Sequence, residues 1–376
     1  MRIAYLLTSL GIGGAERQAL DLAERMRERG HAVIVITLRP RLEEEWPTSL
    51  PVFRLGLRKN PISLLVAFVR ARRYLRDLHP DVIHSHSFHA NLFARLLKPL
   101  LRAPVVISTL HNIDEGGRVR MLGYRLTDGL SRRTIAVSRT VAERFIALRA
   151  VPAGKCTVIL NAIDIEVFTP DPTRRAGMRR ALDANDDFIW LAGGRLAPAK
   201  DYPNLLRAFA RVQAAWPETK SATQLWIAGQ GTGAQLSALQ TLAAQLRLGS
   251  TVRWLGLRRD MAALLDAADA FVLSSAWEGM PLVLAEAMAM EKLFVATDVG
   301  GVRELAGETG TLVPSCDSER LAEAMLALMR QSEELRQAQA RAARVRVEQN
   351  FSIESRADEW ESLYRSLLDR EPATSD

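Results

Sequence analysis

Cysteine is scarce in this 376-residue chain, and the two that occur, Cys156 and Cys316, are far apart. This scarcity excludes the disulfide framework of small secreted domains and suits a reducing cytoplasm. The chain also lacks a run of about 18 apolar residues, so no transmembrane helix is predicted. Its N-terminal apolar stretch is too short and wrongly flanked for a signal peptide. With 48% hydrophobic and 25% charged residues, we expect an ordinary globular protein.

Metal-ligand spacing is missing as well. His84, His86 and His89 are neighbours in sequence, but no carboxylate or cysteine stands at matching spacing, so no metal site is predicted. A lone histidine is more often structural than functional, yet His86 and His111 each end a predicted strand. Because the carboxyl ends of parallel strands meet at one edge of the sheet, both are candidates for a site there.

Charge is distributed unevenly along the chain. Residues 1–165 carry 26 basic and 14 acidic residues, a net of +12, whereas the remainder carries a net of −5. A basic half points to an anionic partner, which can be nucleic acid or an anionic membrane surface. No basic patch rich in aromatic residues of the kind that stacks bases is present, so we expect no nucleic acid as a partner.

Short aliphatic runs alternate with helical patterns through both halves of the chain. This alternation predicts βαβ units around parallel sheets, and thus an α/β protein with two Rossmann-like domains of six strands each. The first series of strands ends near residues 161–164, and the stretch Phe168–Pro172 is interpreted as a linker. The predicted strands are residues 1–7, 32–37, 81–84, 105–109, 134–137 and 157–160, then 188–192, 225–228, 252–255, 270–273, 294–297 and 311–313.

Two carboxylates eight positions apart dominate the second half. Glu278 follows the predicted strand 270–273, and the glycine and proline after it indicate a loop. Glu286 falls within the apolar run 282–290, which predicts a buried helix with Pro281 in its first turn. A glutamate on an apolar helix face is costly unless it is paired or hydrogen-bonded.

Glycines and cations follow other predicted strands. Gly13 and Gly14 allow the backbone to approach an anion at a helix N-terminus, although Glu16 replaces the third glycine of the dinucleotide-binding fingerprint. In the second half, Arg195 and Lys200 lie five residues apart in one loop and can converge on a diphosphate. Each of these patterns is modest alone.

Together the patterns resemble a known family. The spacing of Glu278 and Glu286, within E-G-M-P-L and E-A-M-A, resembles the E-x7-E motif of retaining glycosyltransferases of family 4, of the GT-B type. G-G-A-E-R from Gly13 resembles the family's N-terminal loop, and G-R-x4-K from Gly194 resembles its pyrophosphate-binding loop. The resemblance runs in family order from Gly13 to Glu304 and covers nearly the whole chain.

The resemblance implies a GT-B fold with a cleft between two Rossmann-like domains. Residues 1–164 would form the acceptor-binding domain, and residues 165–354 would form the nucleotide-sugar-binding domain. A C-terminal helix over residues 355–376 would cross back to the first domain.

The resemblance also implies roles for single residues. His111 would contact the donor sugar, Glu278 would bind the sugar hydroxyls and Glu286 the ribose hydroxyls. Arg195 and Lys200 would stabilise charge on the leaving diphosphate, so no metal and no other cofactor is expected. The implied donor site comprises Gly13, Gly14, Gly194, Arg195, Lys200, Gly229, Leu257, Glu278, Gly279, Met280, Pro281, Leu282 and Glu286.

Basic helices in the first half make a membrane surface a candidate partner. The helix predicted over residues 61–78 carries cations in its C-terminal half, and others precede it. A shorter basic helix carries Arg95, Lys98 and Arg102. The alternative is that these cations only solvate an outer face. The residues predicted to contact anionic lipid are Arg58, Lys59, Arg70, Arg72, Arg73 and Arg76.

Two local features complete the predictions. The loop 113–120, with two glycines, is interpreted as a mobile flap on the acceptor side. Asp260 is predicted to cap the helix 261–267.

The predicted function is retaining transfer of a sugar from a nucleoside diphosphate sugar, with UDP-sugar favoured. The acceptor would be a lipid-linked sugar or glycolipid in bacterial surface polysaccharide biosynthesis, with the enzyme peripheral on the cytoplasmic, inner face of the cell membrane. Alternatives are a GT-B-like UDP-sugar epimerase, a GDP-sugar-dependent mannosyltransferase and, from the charge alone, a nucleic-acid-binding protein.

Overall fold

The structure is a computed structural model that describes residues 1–101, 104–184, 186–217 and 221–369. The chain forms two compact units, each of which is an α/β domain. Unit 1 comprises Met1–Ala162 together with the C-terminal segment from Ile353, and unit 2 comprises Ile163–Ser352. These boundaries lie two residues before the expected ones.

A parallel sheet of seven strands forms the centre of unit 1. Its strands are β1 (Arg2–Leu7), β2 (Ala32–Thr37), β3 (Val52–Arg54), β4 (Val82–His86), β5 (Val105–Leu110), β6 (Arg133–Ala136) and β7 (Cys156–Val158). In space their order is β3-β2-β1-β4-β5-β6-β7. The inner strands β1, β4 and β5 are almost entirely buried, as expected where helices cover both faces of a parallel sheet.

In the described part of unit 1, six helices pack around this sheet. They are α1 (Gly14–Glu28), α2 (Pro61–Leu78), α3 (Phe88–Leu97), α4 (Gly117–Thr127), α5 (Arg139–Ala147) and, from the end of the chain, α14 (Ile353–Leu368). Local signals set the limits of α2: Asn60 accepts a hydrogen bond from the amide of Ser63, Pro61 occupies the first turn, and His79 ends the helix in the left-handed region.

The last helix is part of the core of unit 1. Trp360, Tyr364 and Leu367 of α14 are buried against β1 and α1. The hydroxyl groups of Tyr364 and Tyr5 lie 3.1 Å apart. Residues 370–376 of the expected C-terminal helix lie outside the described residues.

Unit 2 repeats the same architecture with six parallel strands. They are β8 (Phe188–Gly193), β9 (Thr223–Ala228), β10 (Val252–Gly256), β11 (Ala270–Leu273), β12 (Leu293–Thr297) and β13 (Thr311–Val313), in the spatial order β10-β9-β8-β11-β12-β13. Its helices are α6 (Pro172–Ala181), α7 (Tyr202–Ala215), α8 (Gly233–Gln245), α9 (Met261–Ala267), α10 (Leu282–Ala289), α11 (Val302–Ala306), α12 (Ser318–Met329) and α13 (Glu333–Asn350).

The two-domain α/β prediction is confirmed, and each predicted strand is present to within two residues at either end. The sequence missed β3, a three-residue strand at the sheet edge that pairs only with β2. It also missed α6, because the stretch interpreted as a linker, Phe168–Pro172, contains the residues that start this helix. Asp171 caps the helix and Pro172 opens it.

Candidate functional site

An ion pair marks the carboxyl edge of the unit 2 sheet. Glu278 lies in the loop between β11 and α10, as predicted, and Lys200 lies in the loop after β8. The Nζ of Lys200 donates to Oε1 of Glu278 at 2.6 Å, and the hydroxyl of Ser275 donates to the same oxygen at 2.6 Å. The side chains of Glu278 and Lys200 are 12% and 18% exposed. The sequence named both residues but gave them separate ligands and missed both their pairing and Ser275.

Glycines make room for this pair. Gly194 has φ +141°, and a Cβ there would lie 2.7 Å from Cε of Lys200. At Gly300, with φ +55°, a Cβ would lie 2.0 Å from the carbonyl oxygen of Glu278. The amide of Gly301 donates to the carbonyl of Gly279 at 2.8 Å, which joins this loop to the one that carries Glu278.

The backbone at the end of β9 is equally constrained. A Cβ at Gly229 would stand 1.8 Å from the carbonyl oxygen of Gly194, so only glycine fits. The amide of Gly229 donates to the carbonyl of Gly256 at 2.8 Å, and the amide of Gly194 donates to that of Ala228 at 2.9 Å. These contacts hold the loops after β8, β9 and β10 side by side.

Arg195 is the open cation of the site. Its side chain is exposed, and it has no hydrogen-bond or ion-pair partner within the described ranges. Unlike Lys200, it is available to a ligand without breaking a contact. The two cations that the sequence grouped therefore differ, because Lys200 is paired with Glu278 and Arg195 has no such pairing within the described ranges.

Helix α10 carries Glu286 in its second turn, half-buried, as the sequence predicted. Pro281 is not inside the first turn but stands at the N-cap position, and the helix starts at Leu282. The side chain of Met280 is buried. No side-chain cap is present at this N-terminus in the described structure, and the amide of Leu284 donates to the carbonyl of Pro281 at 3.2 Å, so the amides of Leu282 and Val283 are the ones that lack a side-chain cap.

The loop after β10 differs from its prediction in one residue. Leu257 is half-buried beyond the strand end. Asp260 occupies the N-cap position of α9 but makes no capping hydrogen bond. Its carboxylate instead accepts from Nε of Arg258 at 2.7 Å, a charge-assisted bond that competes with capping.

In unit 1, the glycine-rich loop lies at the carboxyl end of β1. Gly13 is the N-cap of α1 and Gly14 is its first residue. The indole of Trp46 donates to the carbonyl of Gly13 at 3.1 Å, and the guanidinium of Arg17 lies 5.2 Å from the Trp46 ring centre. The loop is thus held from outside by a residue that the sequence did not single out.

The histidines at the ends of β4 and β5 come together. His86 is buried, and its Nδ1 lies 2.9 Å from Nε2 of half-buried His111. Burial lowers the pKa of His111 to about 4, which keeps the ring neutral at physiological pH. No group of three or more His, Cys, Asp or Glu side chains in the described part of the chain is arranged to hold a metal ion.

Within the loop 113–120, which the sequence interprets as a mobile flap, the side chain of Glu115 is held by hydrogen bonds. The Glu115 carboxylate is buried, accepts from the Tyr124 hydroxyl at 2.5 Å and accepts from the amide of His111 at 3.3 Å. Burial raises the pKa of Glu115 to about 7, although these hydrogen bonds oppose the rise. The loop that follows His111 is therefore anchored, and α4 starts directly after it at Gly117.

The basic helix α2 is more apolar on its surface than the sequence suggested. Ile62, Leu65 and Val69 are 76%, 66% and 60% exposed and share one face by their spacing. The predicted lipid contacts Arg58, Lys59, Arg70, Arg72, Arg73 and Arg76 are all exposed. Three of them have partners within the described residues. Arg70 donates to the carbonyl of Leu55 at 2.8 Å, Arg72 donates to that of Leu100 at 3.3 Å, and Arg76 lies 3.8 Å from the carboxylate of Asp77.

Arg95 is not a surface cation, contrary to its prediction. It is fully buried, and its guanidinium donates to the hydroxyls of Ser108 and Thr134 at 3.0 and 2.8 Å and to the Tyr124 carbonyl at 3.1 Å. It is a hydrogen-bonded residue of the core. Arg102 of the same predicted helix lies outside the described residues.

A second exposed apolar stripe was missed. Val119, Leu122 and Leu126 of α4 are 82%, 52% and 75% exposed and follow helical spacing. The helix carries three arginines and no acidic residue. The spacing of these apolar residues in the sequence could have revealed the stripe. Among the described residues, no helix combines the length and the apolar character that crossing a membrane requires.

Family models match both units. The model described as Glycosyltransferase Family 4 matches residues 12–167, and the model described as Glycosyl transferases group 1 matches residues 175–346. The chain is 27% identical to D-inositol 3-phosphate glycosyltransferase of Geodermatophilus obscurus, over 96% of this chain and 87% of the relative. It is 25% identical to N-acetyl-alpha-D-glucosaminyl L-malate synthase of Bacillus anthracis, over 95% of each.

Solved structures share the fold. Anabaena HepE in complex with UDP-glucose superposes with a TM-score of 0.84 at 22% identity, over 97% of this chain and all of that one. Sucrose-phosphate synthase of Thermosynechococcus elongatus superposes with a TM-score of 0.86 at 21% identity, over 99% and 100%. At this identity the likeness shows the fold, and the fold class expected from the sequence is confirmed.

Proposed function

We propose that this chain, which belongs to the GT-B glycosyltransferase family, transfers a sugar from a nucleoside diphosphate sugar, with UDP favoured, to an acceptor hydroxyl. The observation that carries the proposal is the cluster of Lys200, Glu278 and Ser275 at the carboxyl edge of the unit 2 sheet. Ligands bind at this edge in open α/β sheets. The favoured nucleotide rests on the UDP-glucose complex of HepE, a protein of the same fold.

The diphosphate of the donor would be held by cations and backbone. Arg195 is exposed and open, and Lys200 can turn its Nζ from Glu278 to a phosphate oxygen. Gly194 and Gly229 allow the loops after β8 and β9 to pack closely together, and the N-terminus of α10, which has no side-chain cap among the described residues, favours an anion. The positive charges of Arg195 and Lys200 would stabilise the leaving diphosphate without a metal ion.

The sugar nucleoside would be oriented by the two carboxylates. When Lys200 moves to the phosphate, Glu278 is left as an acceptor for sugar hydroxyls, still steadied by Ser275. Glu286, half-buried in the second turn of α10, would accept from the ribose hydroxyls. His111 is neutral and offers one ring nitrogen to a sugar oxygen, the role that the resemblance implies for it.

The proposed transfer retains the configuration of the anomeric carbon. The bond from that carbon to the diphosphate oxygen breaks, and a bond to the acceptor oxygen forms on the same face. The acceptor's proton passes to the leaving phosphate oxygen, so no side-chain base is required. Charge develops on the diphosphate as this occurs, where Arg195 and Lys200 act.

Calorimetry with UDP, GDP and ADP in the presence of EDTA tests the donor site. We expect one diphosphate, UDP, to bind, and binding to be lost in Lys200→Ala and Glu286→Ala but kept in the control Glu308→Gln, an exposed acid of unit 2. Tight binding of GDP instead would favour the mannosyltransferase. Failure of all three to bind would contradict the assignment, and an altered UDP-sugar formed without acceptor would favour the epimerase.

The proposed acceptor is a lipid-linked sugar or glycolipid at the cytoplasmic face of the cell membrane, used in surface polysaccharide biosynthesis. The apolar stripes of α2 and α4 support it, because each is flanked by arginines and suits the surface of an anionic bilayer. The alternative, in which the cations only solvate the outer face of a helix, does not account for an exposed apolar stripe beside them.

Sedimentation with vesicles tests the membrane contact. We expect the protein to bind vesicles of anionic phospholipid more strongly than neutral ones, and the double change Ile62→Ser with Leu65→Ser to weaken that binding about tenfold or more. Val345→Ser is the control, since Val345 of α13 is 46% exposed but lies in unit 2. Equal binding by both variants would contradict a role for α2.

A second acceptor class follows from the relatives. Their names carry D-inositol 3-phosphate and L-malate, which are small anionic molecules. If this chain uses such an acceptor, turnover will proceed without vesicles and will not depend on Ile62 or Leu65.

A further inference from the structure

Two histidines on one face of β4 have different hydrogen-bond environments. His84 and His86 are two residues apart and therefore point to the same side of the sheet. Both nitrogens of His84 are bonded, Nδ1 to the Tyr364 hydroxyl at 2.7 Å and Nε2 to the Thr109 hydroxyl at 2.7 Å. Since its hydrogen-bonding capacity is filled, His84 is a structural residue that joins α14 to the sheet.

His86 uses only one of its nitrogens. Its Nδ1 lies 2.9 Å from Nε2 of His111, and the two ring planes are inclined by 29°, with centroids 5.2 Å apart. Its Nε2 is buried and has no hydrogen-bond partner within the described ranges. Tyr5 and His84 also pack near this ring, with centroids 6.0 and 4.1 Å away. The one polar contact of this buried ring is thus directed at His111.

The contact between the two rings requires one proton. Burial lowers the pKa of His86 well below its usual value, with further lowering from His84 and His111, and burial lowers that of His111 to about 4. Both rings are therefore neutral at pH 7, and each carries a single N–H. Either His86 donates from Nδ1, or His111 donates from Nε2.

The unpaired Nε2 of His86 distinguishes these two arrangements. If His111 donated, His86 would carry its proton on Nε2, where a buried N–H would have no acceptor. If His86 donates, Nε2 holds only a lone pair. Orphaned buried N–H groups are rarer in proteins than under-satisfied acceptors, so the second arrangement is favoured.

We propose that His86 is a positioning residue whose Nδ1–H donates to His111, holding His111 in the tautomer that presents Nδ1–H as a hydrogen-bond donor. Nδ1 of His111 has no protein partner in the described part of the chain and is not among the fully buried unpaired atoms, so it is open to a ligand. A neutral N–H there can donate to a sugar oxygen. This last step rests on the proposed function, whereas the tautomer does not.

Nitrogen NMR of the full chain with 15N-labelled histidine tests the tautomer directly. At pH 7 we expect His111 with a protonated Nδ1 and an unprotonated Nε2, and the opposite pattern would overturn the proposal. In His86→Phe, which keeps the ring volume but has no donor, the His111 signals should move toward a mixture of tautomers. Unchanged His111 signals in a folded His86→Phe protein would overturn the proposal as well.

His86→Asn provides the conservative rescue, because its amide can donate to Nε2 of His111. We expect kcat of sugar transfer to fall about three- to tenfold in His86→Phe and to recover in His86→Asn, with the affinity for UDP unchanged in both. A loss of kcat that His86→Asn does not restore would point to packing and overturn the positioning role. If wild-type protein transfers no sugar, the proposed function fails, and the NMR result still decides the tautomer.

Discussion

Replacing each member of the Lys200–Glu278 pair should change UDP binding in opposite directions. The Nζ of Lys200 donates to Glu278, so this cation is already paired with a carboxylate. Lys200→Met removes the cation that UDP needs, whereas Glu278→Gln removes the anion that competes with UDP for that cation. We therefore expect UDP to bind more weakly to the first variant and more tightly to the second.

The geometry sets the size of both effects. Two unit charges 4 Å apart attract by about 4 kcal/mol at an effective dielectric constant of 20, and this pair is closer, at 2.6 Å. Desolvation offsets most of that attraction, because the two side chains are only 18% and 12% exposed. The competition that remains is on the order of 1 kcal/mol, so Glu278→Gln should lower the Kd of UDP about fivefold.

Lys200→Met should have the larger effect. A hydrogen bond to a charged group contributes about 1.5–3 kcal/mol, and its loss should raise the Kd of UDP about 10- to 100-fold. The variant also leaves Glu278 without its cation, so its melting temperature in the absence of ligand should fall. Ser275 still donates to Glu278, which limits that fall.

Isothermal titration calorimetry with UDP, at one ionic strength and with EDTA, provides the assay. Glu308→Gln controls for the loss of one negative charge from unit 2, and its Kd should equal that of the wild type. The reasoning is refuted if Glu278→Gln weakens UDP binding as much as Lys200→Met does, because Glu278 would then assist the diphosphate rather than compete with it. Turnover of a UDP-sugar should fall in both variants, because each removes a group assigned to the donor.

Two further predictions concern backbone space and buried charge. Gly229→Ala should destabilise unit 2 by about 3 kcal/mol or more in urea unfolding and abolish UDP binding, since its methyl group would meet the Gly194 carbonyl, whereas Gly233→Ala meets nothing within 4 Å and should do neither. The pKa of Glu115, about 7 against an ordinary 4.5, means that the folded state binds its proton more tightly than the unfolded state. Unit 1 should therefore lose up to about 3 kcal/mol as pH rises through that window, and the stability of Glu115→Gln relative to wild type should increase from pH 4.5 to 7 and then level off. A difference that does not change with pH would contradict burial as the cause of the raised pKa.

Local signals were sufficient for most elements of the fold, but not for β3 and α6. The strands could be predicted because parallel strands covered on both faces are continuous aliphatic runs. The limits of helix α2 could be predicted because each end has its own local signal. Asn60 and Pro61 mark the start, and the residues after Leu78 mark the end. The edge strand β3 could not be predicted in this way, because its three residues are too few to show the pattern of a strand.

Motif spacing located the candidate site, since it names residues at the ends of particular strands. It placed Glu278 in a loop and Glu286 on the following helix correctly. It could not say that Lys200 and Glu278, 78 positions apart, share a hydrogen bond, because only the pairing of β8 with β11 brings their loops together. This limit does not explain why Ser275 was missed, because Ser275 lies only three positions before Glu278.

The sequence by itself therefore determined the order of strands and helices, the two α/β units and the residues at the strand ends, because each depends on a few neighbouring positions. Tertiary structure alone decided which of those residues are charged, neutral or paired. Arg95 became a core residue, Glu115 an anchored acid and His86 a partner of His111 because burial and hydrogen bonding depend on what the fold packs around a side chain. That environment comes from distant parts of the chain, and no local pattern records it.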